Sequence, residues 1–122
     1  MLAVSIHAPV KGATHDTRTV SSGSNEDLDL AGGLTRGGYA YTFTKVKAIY
    51  IEAASTNTTN VEVSPAAANG FTGPFGDASD IIAIPPGGVM LVSHPTTGWT
   101  VTAGTGDLLN IADGGAAEIT YT

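Results

Sequence analysis

The sequence predicts an all-β domain, and three observations support this fold class. Short blocks of Val, Ile, Thr and Tyr alternate between apolar and polar positions, which is typical of strands. Turn signals rich in Gly, Pro, Asn and Asp separate these blocks at intervals of roughly 8–12 residues. No window combines a helical apolar period with capping residues. We therefore expect a single antiparallel β-sandwich or jelly-roll-like domain with an extended N-terminal arm.

The strand blocks define the order of the predicted elements. The strongest block covers residues 41–53, where Thr, Tyr, Val and Ile dominate and the second half is apolar on both faces. Residues 85–88, Pro-Pro-Gly-Gly, stand between two apolar blocks and predict a hairpin or a tight corner. The remaining predicted strands cover residues 60–64, 81–84, 89–92, 99–102, 108–111 and 117–121.

The N-terminal part of the chain differs from the rest in composition. Residues 1–24 are rich in Gly, Ser, Thr and His and predict an extended arm, while residues 25–122 hold the predicted sandwich. A disordered terminus is the alternative interpretation of the arm. Lys11 and Arg18 have only Asp16 as a local opposite charge, so the arm is suited to an acidic partner surface.

A long irregular connection lies between two of the predicted strands. Residues 64–79 contain two prolines and three glycines, with Phe71 and Phe75 as candidate anchors. Connections of this length are usually functional or lie at an interface. We therefore expect contacts with a partner in this loop, at Phe71 and Phe75, as well as in the arm, at Lys11 and Arg18.

Composition and charge exclude several classes of function. The chain has 122 residues, a formal net charge of −6 and no cysteine. The negative charge and the lack of a basic cluster disfavour nucleic-acid binding. The absence of cysteine excludes disulfides, thiolate zinc sites and cysteine nucleophiles. The N-terminus lacks the basic region of a signal peptide, and no apolar run reaches the roughly 18 residues of a membrane span.

Histidine and carboxylate patterns show no catalytic arrangement. The spacing of His7, His15 and His94 fits neither a nucleophilic triad nor a metal motif. Asp77 and Asp80 are a candidate glycosidase pair, but among Gly, Ala and Ser they are better explained as turn-forming residues. We therefore expect no enzymatic activity, no catalytic residues and no cofactor.

An acidic cluster leaves one question about metal binding open. Glu26, Asp27 and Asp29 lie beside glycines, and alternating carboxylates can bind Ca²⁺. Their spacing does not fit an EF-hand loop, and a solvated acidic turn explains the cluster as well. The prediction is that no metal is bound.

Aromatic residues suggest a possible sugar site. Trp99 together with Tyr39, Tyr41 and Tyr50 could form a platform on which a carbohydrate ring stacks. Trp99 alternates with Val101 in a predicted strand, however, which favours packing in the core.

The second half of the chain resembles small virion proteins of tailed bacteriophages, of the capsid decoration or cement type. The resemblance covers residues 45–115, about 60% of the chain. It rests on a strand ending in Ala-Ile-Tyr-Ile (residues 48–51), the Pro-Gly-Gly corner (residues 86–88) and the run Gly-Trp-Thr-Val-Thr-Ala-Gly (residues 98–104) followed by Asp107. These motifs are structural rather than catalytic.

The resemblance implies an all-β protein, often trimeric, that binds the outside of an expanded head and reinforces it. The implied partner is the major capsid protein, and the implied location is the virion, after assembly in the bacterial cytoplasm. No membrane partner is implied. The alternative is a carbohydrate- or surface-binding β-sandwich module of a phage fibre or another virion part.

Overall fold

The computed structural model describes residues 16–36 and 39–122. These residues form twelve β-strands and no helix, which confirms the all-β prediction. The strands are β1 (Arg18–Val20), β2 (Asn25–Asp29), β3 (Leu34–Arg36), β4 (Tyr39–Tyr41), β5 (Lys45–Val46), β6 (Ala48–Glu52), β7 (Val61–Pro65), β8 (Ile82–Ile84), β9 (Val89–Ser93), β10 (Trp99–Thr100), β11 (Leu108–Asp113) and β12 (Ile119–Tyr121).

One layer of the domain is a four-stranded antiparallel sheet in the order β2-β11-β7-β8. Its central strands β7 and β11 alternate buried and half-buried residues along their whole length. The fully buried side chains include Val61, Val63 and Ile111. This period of two places one face of the sheet against the core and the other towards solvent.

The second layer is formed by the pairs β1–β12 and β6–β9. A bridge between Ala53 and Tyr121 joins the two pairs. Next to it, Glu52 and Thr122 exchange two backbone hydrogen bonds of 2.9 and 3.0 Å. The order in this layer is therefore β1-β12-β6-β9. Buried residues of both layers form one apolar core, which is consistent with a β-sandwich.

Four short connections carry the chain from one layer to the other. They link β1 to β2 (residues 21–24), β6 to β7 (53–60), β8 to β9 (85–88) and β11 to β12 (114–118). Pro-Pro-Gly-Gly therefore forms the tight corner that the sequence allowed, because β8 pairs with β7 and β9 pairs with β6.

The predicted strand over residues 41–53 is interrupted in the structure. It contains the end of β4, then β5 and β6, separated by short breaks. β5 pairs with β10 and β6 pairs with β9, so residues 94–98 loop out opposite Lys47. The amide of His94 donates to the carbonyl of Lys47 at 2.8 Å and begins this bulge.

The boundary between the predicted arm and the domain requires a correction. The prediction places residues 18–20 in the arm, but they form β1, which pairs in register with β12. Val20 is buried in the core, so the apolar alternation at this point fixes the strand to the domain. The domain therefore starts before residue 25. The rest of the predicted arm, residues 1–15, lies outside the described residues.

Residues 25–41 form more strand than the sequence predicted. Their Gly-rich, acidic composition predicts turns, yet they contain β2 and the antiparallel pair β3–β4. β2 is stabilised by pairing along its whole length with β11. A polar strand at the edge of a sheet lacks the apolar alternation on which the prediction depends.

Candidate interaction surfaces

The acidic cluster of β2 is used within the chain. Arg18 donates to both oxygens of Glu26, from Nε and Nη2, each at 2.9 Å. Asp27 accepts a hydrogen bond from Asn110 Nδ2 at 2.7 Å, and Asp29 accepts one from the amide of Ala31 at 2.8 Å. Successive side chains of a strand point to opposite faces, so Glu26 lies on the face of β2 opposite Asp27 and Asp29. No group of three metal-ligating side chains occurs among the described residues.

Arg18, one of the predicted partner contacts, takes part in a polar network at the edge of the domain. Glu26 accepts hydrogen bonds from both Arg18 and the hydroxyl of Tyr121. The hydrogen bond from Arg18 lowers the pKa of Glu26, while the bond to Glu26 raises the pKa of Arg18. Burial and the bond to Glu26 raise the pKa of Tyr121. Arg18 also pairs with Asp16 at 3.2 Å, so its guanidinium has two carboxylate partners in this chain.

Asp113 joins three distant segments of the domain, a role that the sequence did not reveal. Its side chain is buried and accepts hydrogen bonds from the hydroxyl of Thr59 and from the amides of Gly23, Gly115 and Ala117. These bonds, with that from Thr59 first, lower the pKa of the Asp113 carboxyl. The only sequence signal is that an acidic residue continues the inward-facing alternation of β11.

Asn57 has a similar structural role beside β12. Its Nδ2 donates to the carbonyl of Thr120 at 2.9 Å, and its Oδ1 accepts from the amide of Thr120 at 2.8 Å. The side-chain amide thus takes the place of a neighbouring strand. Asn57 also begins the glycosylation sequon Asn-Thr-Thr, but its side chain is only 8% exposed and both polar atoms are in use.

The residues considered for sugar stacking do not form one open platform. Trp99 packs against the core, as predicted, and contacts the ring of His94 edge-on at a centroid distance of 5.6 Å. A Cβ atom on Gly73 would lie 2.5 Å from that of Trp99, so the loop backbone covers the tryptophan closely. Tyr41 stacks on Phe43. The side chain of Tyr39 is not described, and His7 and His15 lie outside the described residues.

Asp77 and Asp80 organise a turn in the long loop. Asp77 Oδ1 accepts from both the amide and the hydroxyl of Ser79, and Asp80 Oδ2 accepts from the amide of Asp77 at 2.8 Å. The bonds from Ser79 lower the pKa of Asp77. This local pattern agrees with the prediction of turn-forming aspartates.

The two phenylalanines of the long loop have different environments, and one prediction needs correction. Phe71 is 1% exposed and lies in the core, while its amide donates to the carbonyl of Leu108 at 2.8 Å. It anchors the loop as predicted, but because it is buried it is not available as a contact for a partner. Phe75 packs against the core with part of its ring exposed, and its role as a contact stays a prediction. Lys11 lies outside the described residues.

Exposed apolar side chains mark the side of the domain where β8 and β9 lie. Val89 and Leu91 are 51% and 55% exposed on the outer face of β9, and Ile81 is 59% exposed just before β8. The other large apolar side chains of the described residues are buried or half-buried. The sequence did not predict this surface, because apolar residues at every position of residues 89–92 indicate a strand that is covered on both faces.

Comparisons with known proteins give no neighbour. No protein-family model matches the chain, and searches of the curated proteins and of the solved structures find no match either. Within the described residues, no helix is long and apolar enough to cross a membrane.

Proposed function

We propose that the protein is a bacteriophage capsid decoration protein that binds the outer surface of the head and reinforces it. The observation that carries this proposal is the apolar side chain of Ile81, which is 59% exposed in the long loop between β7 and β8 (residues 66–81) that also holds the half-buried Phe75. Single exposed apolar residues are common, but a long irregular loop is usually functional, so a large exposed side chain within it is a candidate contact for a partner.

The order of the strands supports this class of protein. The layers β1-β12-β6-β9 and β2-β11-β7-β8 are connected by six crossings, four of them short, and this order is consistent with an eight-stranded jelly roll. Jelly rolls are common in viral capsid and lectin domains. The fold alone does not define a function, so the support comes from its combination with the exposed surface and the resemblance over residues 45–115.

Binding in this proposal needs no bond chemistry. Each copy contributes a modest apolar contact through the long loop, at Phe75 and Ile81. Several copies joined in one oligomer, for which a trimer is proposed, would engage neighbouring capsid subunits together. Linked contacts raise the effective concentration of each further contact, so weak individual surfaces give firm attachment.

Sedimentation with capsids tests the proposal. Expanded heads formed by the major capsid protein of the same phage, without the decoration protein, are mixed with the purified chain and pelleted. We expect saturable binding at a fixed ratio to the capsid subunit. Absence of co-sedimentation would contradict the proposal and favour the fibre or carbohydrate-binding alternative, which glycan titration of Trp99 fluorescence examines directly.

A pair of matched variants identifies the contact surface. Ile81→Lys places a charge in the exposed apolar surface, and we expect it to weaken capsid binding at least tenfold. Ser22→Lys, at an exposed position in the turn between β1 and β2, is the control and should bind like the natural chain. Equal binding by both variants would remove the long loop from the contact surface.

A further inference from the structure

The outer edge of β9 carries backbone groups that no strand of the described residues covers. Glu52 directs its backbone N–H and C=O towards Thr122, on the side of β6 opposite β9. Val89 lies opposite Glu52 in the antiparallel ladder, so its own backbone groups point away from β6. The same alternation applies to Leu91 and Ser93. Three residues therefore present paired donors and acceptors along one open edge.

This edge lacks the features that normally prevent further pairing. Charged residues, proline and short length protect the edges of sheets. β2 contains three carboxylates, β1 contains Arg18, and β8 has three residues between Asp80 and Pro85. β9 has five residues, Val-Met-Leu-Val-Ser, with no charge and no proline. It is the least protected edge of the two layers.

The first residues of the chain have the pattern of a strand that would fit this edge. Between residues 2 and 10, apolar residues alternate strictly with small or polar ones and Pro9, as in a half-buried strand. Pro9 is compatible with an outermost strand, where its missing donor can face solvent. The apolar positions are Leu2, Val4, Ile6, Ala8 and Val10.

Charge also favours contact between this segment and the domain. Residues 1–15 contain Lys11 and no Asp or Glu. The other four basic and all eleven acidic side chains lie in residues 16–122, so the domain has a formal charge of −7. The attraction is weak and is screened by salt. Its sign means that the segment of one copy is not repelled by the negatively charged domain of another.

The point where the segment leaves the domain favours pairing between copies. Thr17 is hydrogen-bonded to Thr122 at 2.9 Å, so the segment leaves beside β12. The open side of β9 is four strand spacings from β1, about 19 Å. Residues 11–16 span at most about 20 Å when fully extended. To reach β9 of the same chain, residues 11–16 would have to be fully extended in a straight line across the sheet. Pairing with β9 of a second copy does not require this path.

We propose that residues 2–10 of one copy pair with β9 of a second copy as an added strand. The apolar positions of the segment then cover Val89 and Leu91, and its backbone satisfies the open edge. The donor and the acceptor are different surfaces of each chain, so the contact is head-to-tail and closes into a ring when the rotation permits. This inference goes beyond the proposed function and does not depend on it, because it concerns only the assembly of the free protein.

Light scattering after size-exclusion chromatography tests the proposal on the full chain. We expect an oligomer that is lost in Ile6→Lys and in Leu91→Lys, since each variant places a charge in the new interface. The matched control is Ser5→Lys, which changes the opposite face of the same segment and should keep the oligomer. Far-ultraviolet circular dichroism and thermal melting must show that both interface variants stay folded.

Complementation between two defective chains identifies donor and acceptor. Leu91→Lys keeps an intact segment, and a chain lacking residues 1–15 keeps an intact β9 edge. We expect each to be monomeric alone and the mixture to form a one-to-one pair.

Three outcomes would overturn the proposal. If the full chain is a monomer in which Ile6→Lys speeds amide exchange in β9, the segment binds within its own chain. If Leu91→Lys alone dissociates the oligomer, the β9 edges pair with each other. If neither variant changes the oligomer, β9 is not the interface. Failure of capsid sedimentation leaves all these measurements unaffected, so the two proposals fail separately.

Discussion

The two open sides of the sandwich-like domain differ in the side chains that they present to solvent. The polar side, formed by β1 and β2, carries the network of Arg18, Glu26 and Tyr121 and is tied to β11 through Asp113. The apolar side, formed by β8 and β9, exposes Val89 and Leu91. A single chain thus protects one side with internal polar pairs and leaves the other suited to a partner. In our proposals, interaction therefore belongs to the apolar side, while the polar side contributes to stability.

The largest expected effect comes from truncating apolar residues in the two regions. Ile119 in β12 is fully buried, so Ile119→Ala should reduce the free energy of unfolding by about 2–5 kcal/mol. Leu91→Ala removes a similar side chain from the exposed edge and should change it by less than about 0.5 kcal/mol. Urea unfolding measures both values at a concentration where the chain is monomeric. Equal losses would show that the apolar side is part of the core.

The side-chain amide of Asn57 should have the next largest effect. Asn57→Ala leaves the amide and the carbonyl of Thr120 without these partners beside the buried end of β12. We expect a loss of about 1–3 kcal/mol in urea unfolding. The exposed Asn60 provides the control, and Asn60→Ala should leave stability nearly unchanged. A small effect at both positions would mean that water replaces the amide.

The polar network should make part of the stability depend on pH. Arg18 lowers the pKa of Glu26, so this contribution is present above the pKa of the unfolded chain, near 4.5, and is lost as pH falls through the lower folded value. Glu26→Gln should lower the free energy of unfolding by about 1 kcal/mol at neutral pH. The expected value is modest because the Arg18–Glu26 pair is partly exposed and screened by salt. The cost should disappear in acid.

Urea unfolding of Glu26→Gln and of the natural chain across this pH range measures that difference. Asp113 has a lowered pKa too and destabilises both chains in acid, so only the difference between them reports on Glu26. Glu118→Gln, at an exposed site, is the control. A difference that does not depend on pH would show that Glu26 acts through packing alone.

The smallest effect on stability is expected for Leu91→Thr on the apolar side. Threonine is as compatible with a strand as leucine and removes exposed apolar surface, so the free energy of unfolding should change by less than about 0.5 kcal/mol. Self-association measured by sedimentation velocity should decrease. An unchanged sedimentation profile would remove the apolar side as the region of association.

Sequence patterns predicted the parts of the fold that are governed by local apolar alternation. β7, β8, β9, β11 and β12 fall within one or two residues of the predicted strands. The strand β2 was missed because its stability comes from pairing with β11, some 80 residues away in the chain. The start of the domain was placed too late for the same reason, since β1 pairs with β12.

The polar sites were less predictable than the strands. Asp77 and Asp80 could be assigned to a turn because their partners are two or three residues away. Asp113 and Asn57 bind groups up to 90 and 63 residues distant, so no local motif identifies them. Phe71 is buried because its loop passes over the core. The sequence of the loop alone does not predict that path.

The pairing of β1 with β12 has a consequence for synthesis of the protein on the ribosome. The N-terminal strand has no partner in its layer until residue 121 has left the exit tunnel, because β12 alone lies beside it. Connections between non-local strands also make folding slow, typically milliseconds to seconds. β1 therefore stays without its partner for most of translation, and the two layers can close into a sandwich only after β12 has emerged.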